Sequence, residues 1–338
     1  MKILLVKLSS LGDVIQTVPV IHDIHQALPG AQIDWVVEEA FAPLVERADG
    51  LRRVWAIAER RWRKARLHPA TRQERAAFFA NLQIERYDAV IDFQGLIKSA
   101  LVARQAQLTP AGFRATYANG SDACSYEWPV RFMVNKAVPM ARRIHAVARY
   151  RTLAAQALGY ELQGEAVYRW TGLPASSTQD AARTVVLAHG TTRPDNEWPQ
   201  ADWIALGRRL VEAGWQVALP QAGAQELAFT NQLAKAMGSA AQVWPKMDLA
   251  QVLDHMAASA GVVGVDSGLS HLAVALNLPH VQIFSQPRAW RAGPVGQAHQ
   301  RAVGGEHAPD IETVWQCWQE VWRASDADRP QTAMKVPR

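Results

Sequence analysis

Five groups of side chains in this 338-residue chain have the types and spacing to do chemistry. The densest is Asp266-Ser267-Gly268-Leu269-Ser270-His271, where an apolar run breaks at Asp266 and resumes with helical spacing at Leu269, Leu272, Ala273 and Leu276. That pattern reads as strand, tight turn and helix. Backbone N–H groups of Ser267 and Gly268 at a helix start suit a phosphate, because donors there lack intrahelical partners and the dipole favours negative charge. A plain capping role for Asp266 or Ser267 fits the same segment equally well. His189-Gly190-Thr191-Thr192-Arg193 follows another apolar run and offers two hydroxyls, backbone donors and a guanidinium to a diphosphate. Capping of the turn before Pro199 by the threonines, with Arg193 solvated, is the competing reading.

Glu226 opens a helix after the run 215–219, where a carboxylate can accept from both hydroxyls of a ribose or simply favour the helix dipole. Asp13 lies in Ser9-Ser10-Leu11-Gly12-Asp13 at the first strand-to-helix turn. The positive helix end keeps such a carboxylate ionised, which suits a base taking a proton from an alcohol; an N-cap is the alternative. The run Arg60-Arg61-Trp62-Arg63-Lys64 has almost no acidic partners at i+4 spacing. A solvated helix face is the usual explanation of such a run, but its uncompensated self-repulsion favours an anion, with Arg60, Arg61, Arg63 and Lys64 gripping phosphates or carboxylates and Trp62 placed at an interfacial level. Neither a G-x-G-x-x-G turn nor a G-x-x-x-x-G-K-[ST] loop is present, which disfavours a nicotinamide enzyme or a P-loop ATPase.

The elements that must position these groups alternate. Strand-type runs at 2–8, 33–37 and 89–93 are each followed by helical patterning, and a helix at 144–158 ends at Gly159. The pattern weakens into loops over 110–139. After a Gly-, Pro- and Ser-rich stretch, strands at 185–188, 215–219, 242–244, 262–265 and 281–284 alternate with helices, and a last helix spans 311–322. The expected organisation is an α/β chain of two parallel-sheet domains facing a central cleft: residues 1–165, a linker at 166–183, a second domain at 184–309, a helix at 310–325 and a flexible tail at 326–338.

Composition narrows the classes. Nine basic against two acidic side chains give residues 51–75 a charge of +7, while the whole chain carries only +5. The positive excess is therefore local, which favours one anionic partner over general nucleic-acid binding. Two cysteines are too few for a disulfide framework, the apolar part of the first segment is too short for a signal peptide, and no run reaches membrane-span length. These features predict a cytoplasmic protein.

The motifs also have a family likeness. Lys2-Ile3-Leu4-Leu5-Val6-Lys7 with Ser9-Ser10-Leu11-Gly12-Asp13-Val14, Trp35-Val36-Val37-Glu38-Glu39, Arg60-Arg61-Trp62-Arg63-Lys64, Asp92-Phe93-Gln94-Gly95-Leu96-Ile97-Lys98-Ser99, Pro245-Lys246-Met247 and Asp266 to His271 occur in order from residue 2 to about 325. Together they resemble the ADP-heptose:lipopolysaccharide heptosyltransferases. The arginine-tryptophan cluster is similar to that of members adding the first heptose to the Kdo-lipid A inner core.

The resemblance implies a GT-B fold of two Rossmann-like domains and inverting transfer from ADP-L-glycero-D-manno-heptose to Kdo, with no cofactor or essential metal. It implies peripheral contact with the anionic inner membrane. Asp13 then matches the catalytic base. Thr191 and Thr192 match the diphosphate loop, with the neighbouring Arg193 and Asn196 as further donor-binding candidates, Glu226 matches the ribose contact, Met247 the adenine neighbour, and Asp266, Ser267, Gly268 and His271 the phosphate and donor-sugar turn. Arg60, Arg61, Arg63 and Lys64 match the acceptor region. Two departures stand out: Asn196 occupies the family's usual lysine position, and the loop after the last strand reads Phe284-Ser285-Gln286-Pro287-Arg288-Ala289-Trp290-Arg291 where the family is Gly-Pro-Thr-rich. Arg193, Arg288 or Arg291 is expected to replace the lost charge. A second heptosyltransferase, a transferase of another nucleotide-sugar, and a non-catalytic nucleotide-binding protein at an anionic membrane surface are the alternatives.

Overall fold

A computed structural model describes residues 1–174 and 183–327 of the chain. Two compact units emerge: Met1–Leu173 with Asp248–Leu253, and Pro174–Met247 with Asp254–Arg338. The boundary differs from the sequence expectation at two places. Residues 166–173 belong to the first unit, where Arg47 donates to the carbonyls of Thr171 and Gly172 at 2.7 and 2.6 Å, and Asp248–Leu253 is grouped with that unit as well. The remainder of the expected linker at 175–182 and the tail from 328 onward lie outside the described residues.

The first unit holds a six-stranded sheet of β1 (Lys2–Val6), β2 (Gln32–Glu38), β3 (Leu51–Ile57), β4 (Arg86–Asp92), β5 (Gln107–Tyr117) and β6 (Lys136–Val138). All pairings are parallel and the order is β3-β2-β1-β4-β5-β6. In the second unit, β7 (Thr184–Ala188), β8 (Gln216–Leu219), β9 (Ala241–Val243), β10 (Gly261–Val265), β11 (His280–Phe284) and β12 (Gln300–Gly304) form another parallel sheet in the order β12-β11-β10-β7-β8-β9. Counted from each unit's own first strand, the two orders are identical. Both are the doubly wound dinucleotide-binding arrangement, in which the order reverses between the first and fourth strands.

Near-continuous apolar runs in the central strands follow from burial on two faces. Ile3 and Leu5 enter a core with Val14, Ile21, Ile24, Tyr150 and Leu153, while Leu4 and Val6 enter another with Val36, Ile57, Val90 and Val102. In the second unit Val263, Val265, Val281 and Ile283 pack with Trp203, Leu206 and Leu210. The last helix, Ile311–Ala327, runs beyond the expected end and is part of this unit, since Val314, Trp318 and Val321 join the same core at three- and four-residue intervals.

Four strands were not visible in the sequence pattern. The region 110–139, expected as loops, contains most of β5 and all of β6, and β11 is followed by β12 instead of closing its sheet. β3, β6 and β12 are sheet edges, half solvated and weakly patterned. β5 carries Pro110 and Gly112 and shifts register against β4 between Tyr87 and Ala89.

The basic stretch is also built differently from the sequence reading. Trp62 is 3% exposed and packs edge-on against Phe78 at 5.7 Å, so it is a core residue and not an interfacial one. Arg61 forms two hydrogen bonds to each of Glu39 and Glu74, at 2.7 to 3.0 Å, so its charge is compensated by residues distant in sequence. Arg52 grips the buried carboxylate of Asp34 at 2.8 and 2.5 Å, and the Tyr87 hydroxyl donates to the same group at 2.7 Å. Replacing Asp34 by Ala strands these donors and is expected to destabilise the first unit by about 3 kcal/mol. Urea unfolding reads this directly, and an unchanged midpoint would mean that Glu85 alone suffices for Arg52.

Candidate active site

In a doubly wound sheet the ligand crevice opens beyond the carboxyl ends of the strands, where neighbouring connections leave in opposite directions. In the first unit this point lies between β1 and β4. The turn after β1 leads into the helix Leu11–Thr17, whose N-cap is Ser10, so Asp13 is the third helical residue and not the cap. Its Oδ1 accepts from the Tyr150 hydroxyl at 2.8 Å; its Oδ2 accepts from the Ser10 N–H at 3.3 Å and the Ser10 hydroxyl at 3.0 Å. The buried Lys7 ammonium lies 4.0 Å from Oδ2 and donates to the Tyr150 oxygen at 3.2 Å. A carboxylate held by a phenol, a hydroxyl, a backbone N–H and a nearby cation has a fixed orientation, which a positioned base requires.

The turn after β4 supports this arrangement from beneath. Gln94 accepts from the Leu8 N–H at 3.0 Å and donates to the Ser9 hydroxyl at 3.5 Å, joining the two turns. Asp92, at the end of β4, accepts from the N–H groups of Gln94 and Gly95 and from the Ser99 hydroxyl. Burial pushes its carboxyl up to about 6 despite those hydrogen bonds and the nearby Lys7. The basic helix Glu59–Lys64 follows β3 at the same carboxyl edge of the sheet. There Arg60 lies over the Phe41 ring at 5.2 Å and donates its N–H to Glu38, while Arg63 and Lys64 are exposed.

In the second unit the switch point lies between β7 and β10. Ser267 is the N-cap of the helix Gly268–Ala275, but its side chain makes no capping bond and its buried hydroxyl has no protein partner. The plain capping reading of this turn therefore fails for Ser267. Asp266 is no cap either: its carboxylate meets His271 Nε2 at 3.4 Å, the Gln282 amide at 3.2 Å and the Asn196 amide at 3.3 Å, and Asn196 also donates to its carbonyl. Burial opposes its ionisation, but the His271 contact and the fields of Arg291 and Arg288 together hold the carboxyl below its ordinary range. Asn196 therefore binds Asp266 from within the protein and brings no positive charge.

Two cationic side chains lie on the loops after β7 and β11. Arg193 donates to both oxygens of Asp195 at 3.1 and 2.8 Å, and Arg288 reaches the same carboxylate at 3.5 Å. Two guanidiniums on one carboxylate leave a net positive charge on these loops. Arg193 is therefore paired instead of simply solvated. Thr191 does accept from the Arg193 N–H at 3.2 Å, so the turn-capping reading holds for its hydroxyl; Thr192 is exposed.

Glu226 accepts from the Ala222 N–H at 2.7 Å and packs so closely on Gly190 that a Cβ there would stand 1.9 Å from its Oε1. Met247, half-buried, follows β9. The residues expected from sequence to hold the donor thus line one sheet edge, from the loop after β11, through the turns after β10 and β7, to those after β8 and β9. From β10 to β9 this is three strand spacings, about 14 Å. Phosphate-suited groups occupy one end and a carboxylate suited to a ribose the other. The sequence reading missed Lys7, Tyr150 and Gln282 as functional neighbours, and Gly190 as the residue that admits Glu226.

Among the described residues no three His, Cys, Asp or Glu side chains cluster to hold a metal ion, and no helix is long and apolar enough to cross a membrane. Two doubly wound units, one with a fixed carboxylate and a basic edge, the other with an elongated anion-facing edge, have the architecture of a GT-B glycosyltransferase. The comparisons with known proteins agree. The family model for glycosyltransferase family 9 (heptosyltransferase) matches residues 75–322, and the chain belongs to that family.

The chain is 40% identical over 303 residues to lipopolysaccharide heptosyltransferase 1 of Pseudomonas aeruginosa, covering 88% of this chain and 82% of the relative. The Escherichia coli heptosyltransferase WaaC structure with ADP superposes with a TM-score of 0.84 at 36% identity, covering 95% of this chain and 100% of that one. The same enzyme with ADP-2-deoxy-2-fluoro heptose gives 0.80 at 36% identity, covering 95% and 99%.

Two outcomes test this geometry. Gly190→Ala forces Glu226 aside and is expected to weaken ADP binding about tenfold, the scale of one lost charge-assisted hydrogen bond, by calorimetry. Asp92 keeps its proton in the folded protein up to about pH 6, whereas the unfolded carboxyl has lost it by then. Stability must therefore fall as pH rises from about 4 to 6 on account of this group. Asp92→Asn is expected to flatten that part of the profile in unfolding experiments, and an unaltered slope would assign it to other carboxyls.

Proposed function

We propose that this protein transfers L-glycero-D-manno-heptose from ADP-heptose to a Kdo residue of Kdo-lipid A, with inversion and without a metal, at the cytoplasmic face of the inner membrane. The observation that best supports the reading is the set of contacts around Asp13, which orient one carboxylate at the first unit's switch point. Asp13 takes the proton of the Kdo hydroxyl as that oxygen attacks the anomeric carbon. The bond to the diphosphate breaks on the opposite face of the sugar, and ADP departs with the bonding pair.

Charge developing on the leaving diphosphate is met by the N–H groups at Ser267 and Gly268, by the Ser267 hydroxyl and by the Arg193 and Arg288 guanidiniums. Asp266 orients His271 toward the sugar. Glu226 receives the ribose hydroxyls, Met247 borders the adenine, and Thr191 and Thr192 line the diphosphate loop. Arg60, Arg63 and Lys64 meet the acidic acceptor; Arg61, committed to Glu39 and Glu74, holds their helix in place instead.

Release of ADP from ADP-heptose tests the activity, and it is expected only when a Kdo-lipid acceptor is present. Asp13→Ala should lower turnover about a thousandfold, within the range for loss of a general base, while ADP-heptose affinity stays within a factor of about two. Near-normal turnover would remove Asp13 from this role. Replacing Arg193, Arg288 and Arg291 together by Gln is expected to weaken ADP-heptose binding about tenfold or more. Unchanged affinity and turnover would show that these arginines do not stand in for the missing lysine.

A further inference from the structure

Trp62 lies in the core, but other aromatic side chains face outward. The short 3-10 turn Trp128–Phe132 presents Trp128 at 65% and Phe132 at 69% exposure, with their rings edge-on at 6.0 Å. These are large apolar residues left in water by a well-anchored segment. Val130 fixes the turn in the interior, the Glu127 N–H donates to the Gly95 carbonyl at 3.0 Å, and the Tyr126 hydroxyl donates to the Ala118 carbonyl at 2.9 Å.

The neighbouring helix Ile97–Gln105, against which the turn packs, extends the same surface. Its exposed positions are Ile97, Lys98, Leu101, Arg104 and Gln105, which share one helical face. Ile97 and Leu101 add further apolar area at 41% and 50% exposure. Lys98 and Arg104 lie on the same helical face as Ile97 and Leu101, and the Arg131 guanidinium stands 4.7 Å above the Phe132 ring. Among the described residues no carboxylate pairs with these three cations. The nearby Glu127 carboxylate is turned to the Ile97 N–H at 2.5 Å, where it caps the helix.

We propose that this face, formed by Trp128, Phe132, Ile97 and Leu101 with Lys98, Arg104 and Arg131, docks the protein onto an anionic lipid bilayer. The rings and aliphatic side chains enter the interfacial layer, and the cations meet lipid phosphates. A second copy of the same face is disfavoured, because apposing two such surfaces would bring like charges together without counterions. The face also adjoins the catalytic turn. Gly95 and Gln94 link it through Ser9 and Leu8 to the segment carrying Asp13. The use of that proximity rests on the proposed transfer to a lipid-borne acceptor; the membrane affinity does not.

Flotation with vesicles of phosphatidylethanolamine and phosphatidylglycerol tests the surface, with phosphatidylcholine vesicles alongside. The wild-type protein should float with the anionic vesicles, and the Trp128→Ser/Phe132→Ser double variant should partition about tenfold less, a loss in line with interfacial aromatic burial. Leu101→Glu, on the adjoining helix, should repeat the loss, and Lys98→Gln/Arg104→Gln/Arg131→Gln should abolish the preference for anionic lipid. Turnover of the aromatic variant should be unchanged with a delipidated, water-soluble Kdo acceptor and reduced with the acceptor embedded in vesicles. Equal flotation of wild type and aromatic variant would overturn the proposal, as would a wild type that does not float. A wild-type dimer dissociated by these substitutions, seen by sedimentation in place of vesicle binding, would overturn it in favour of a second copy. If wild type bound vesicles but released no ADP with either acceptor, the transferase reading would fail and the docking surface would stand.

Discussion

The structure depends on one reversal, made twice. In each sheet the chain leaves the first strand in one direction across the sheet and returns to the other side of it at the fourth, so the turns beyond β1 and β4, and beyond β7 and β10, part from one another. Parallel strands then direct every following helix N-terminus to the same edge. Backbone donors without intrahelical partners are concentrated there, and the residues with chemical potential stand among them. Asp13, the Gln94 turn, His189 to Asn196 and Asp266 to His271 owe their placement to this topology before any side-chain contact is considered.

Electrostatics then separates structural charge from charge available to a ligand. The stretch 51–75 contains all of the chain's basic excess, yet Arg52 is consumed by Asp34 and Glu85, and Arg61 by Glu39 and Glu74. The other exposed cations of the helix Glu59–Lys64 are Arg60, Arg63 and Lys64. In the second unit Asn196 hydrogen-bonds Asp266 without bringing charge, and the nearby guanidiniums of Arg193 and Arg288 share Asp195.

The sequence made the buried strands and the switch-point turns legible because double-sided burial writes a long apolar run, and a turn into a helix breaks it sharply. Edge strands β3, β6 and β12 left no such run. Local spacing also misjudged Arg61 and Trp62, since Glu74 and Phe78 reach them through tertiary packing. Tyr150 had no local signal at all: it approaches Asp13 from 137 residues away. Motif likeness identified the candidate residues at Thr191, Glu226 and Asp266, but the partners that orient them were visible only in three dimensions.

Under the proposed function, sharing Asp195 between Arg193 and Arg288 has a kinetic consequence. A guanidinium that already has a counterion need not be stripped of a full water shell when a diphosphate arrives; it exchanges one anion for another. The same carboxylate competes for it once the sugar has gone. Such internal competition favours rapid exchange of the spent nucleotide over tight retention, a useful property where each cycle ends with a product that resembles most of the incoming donor.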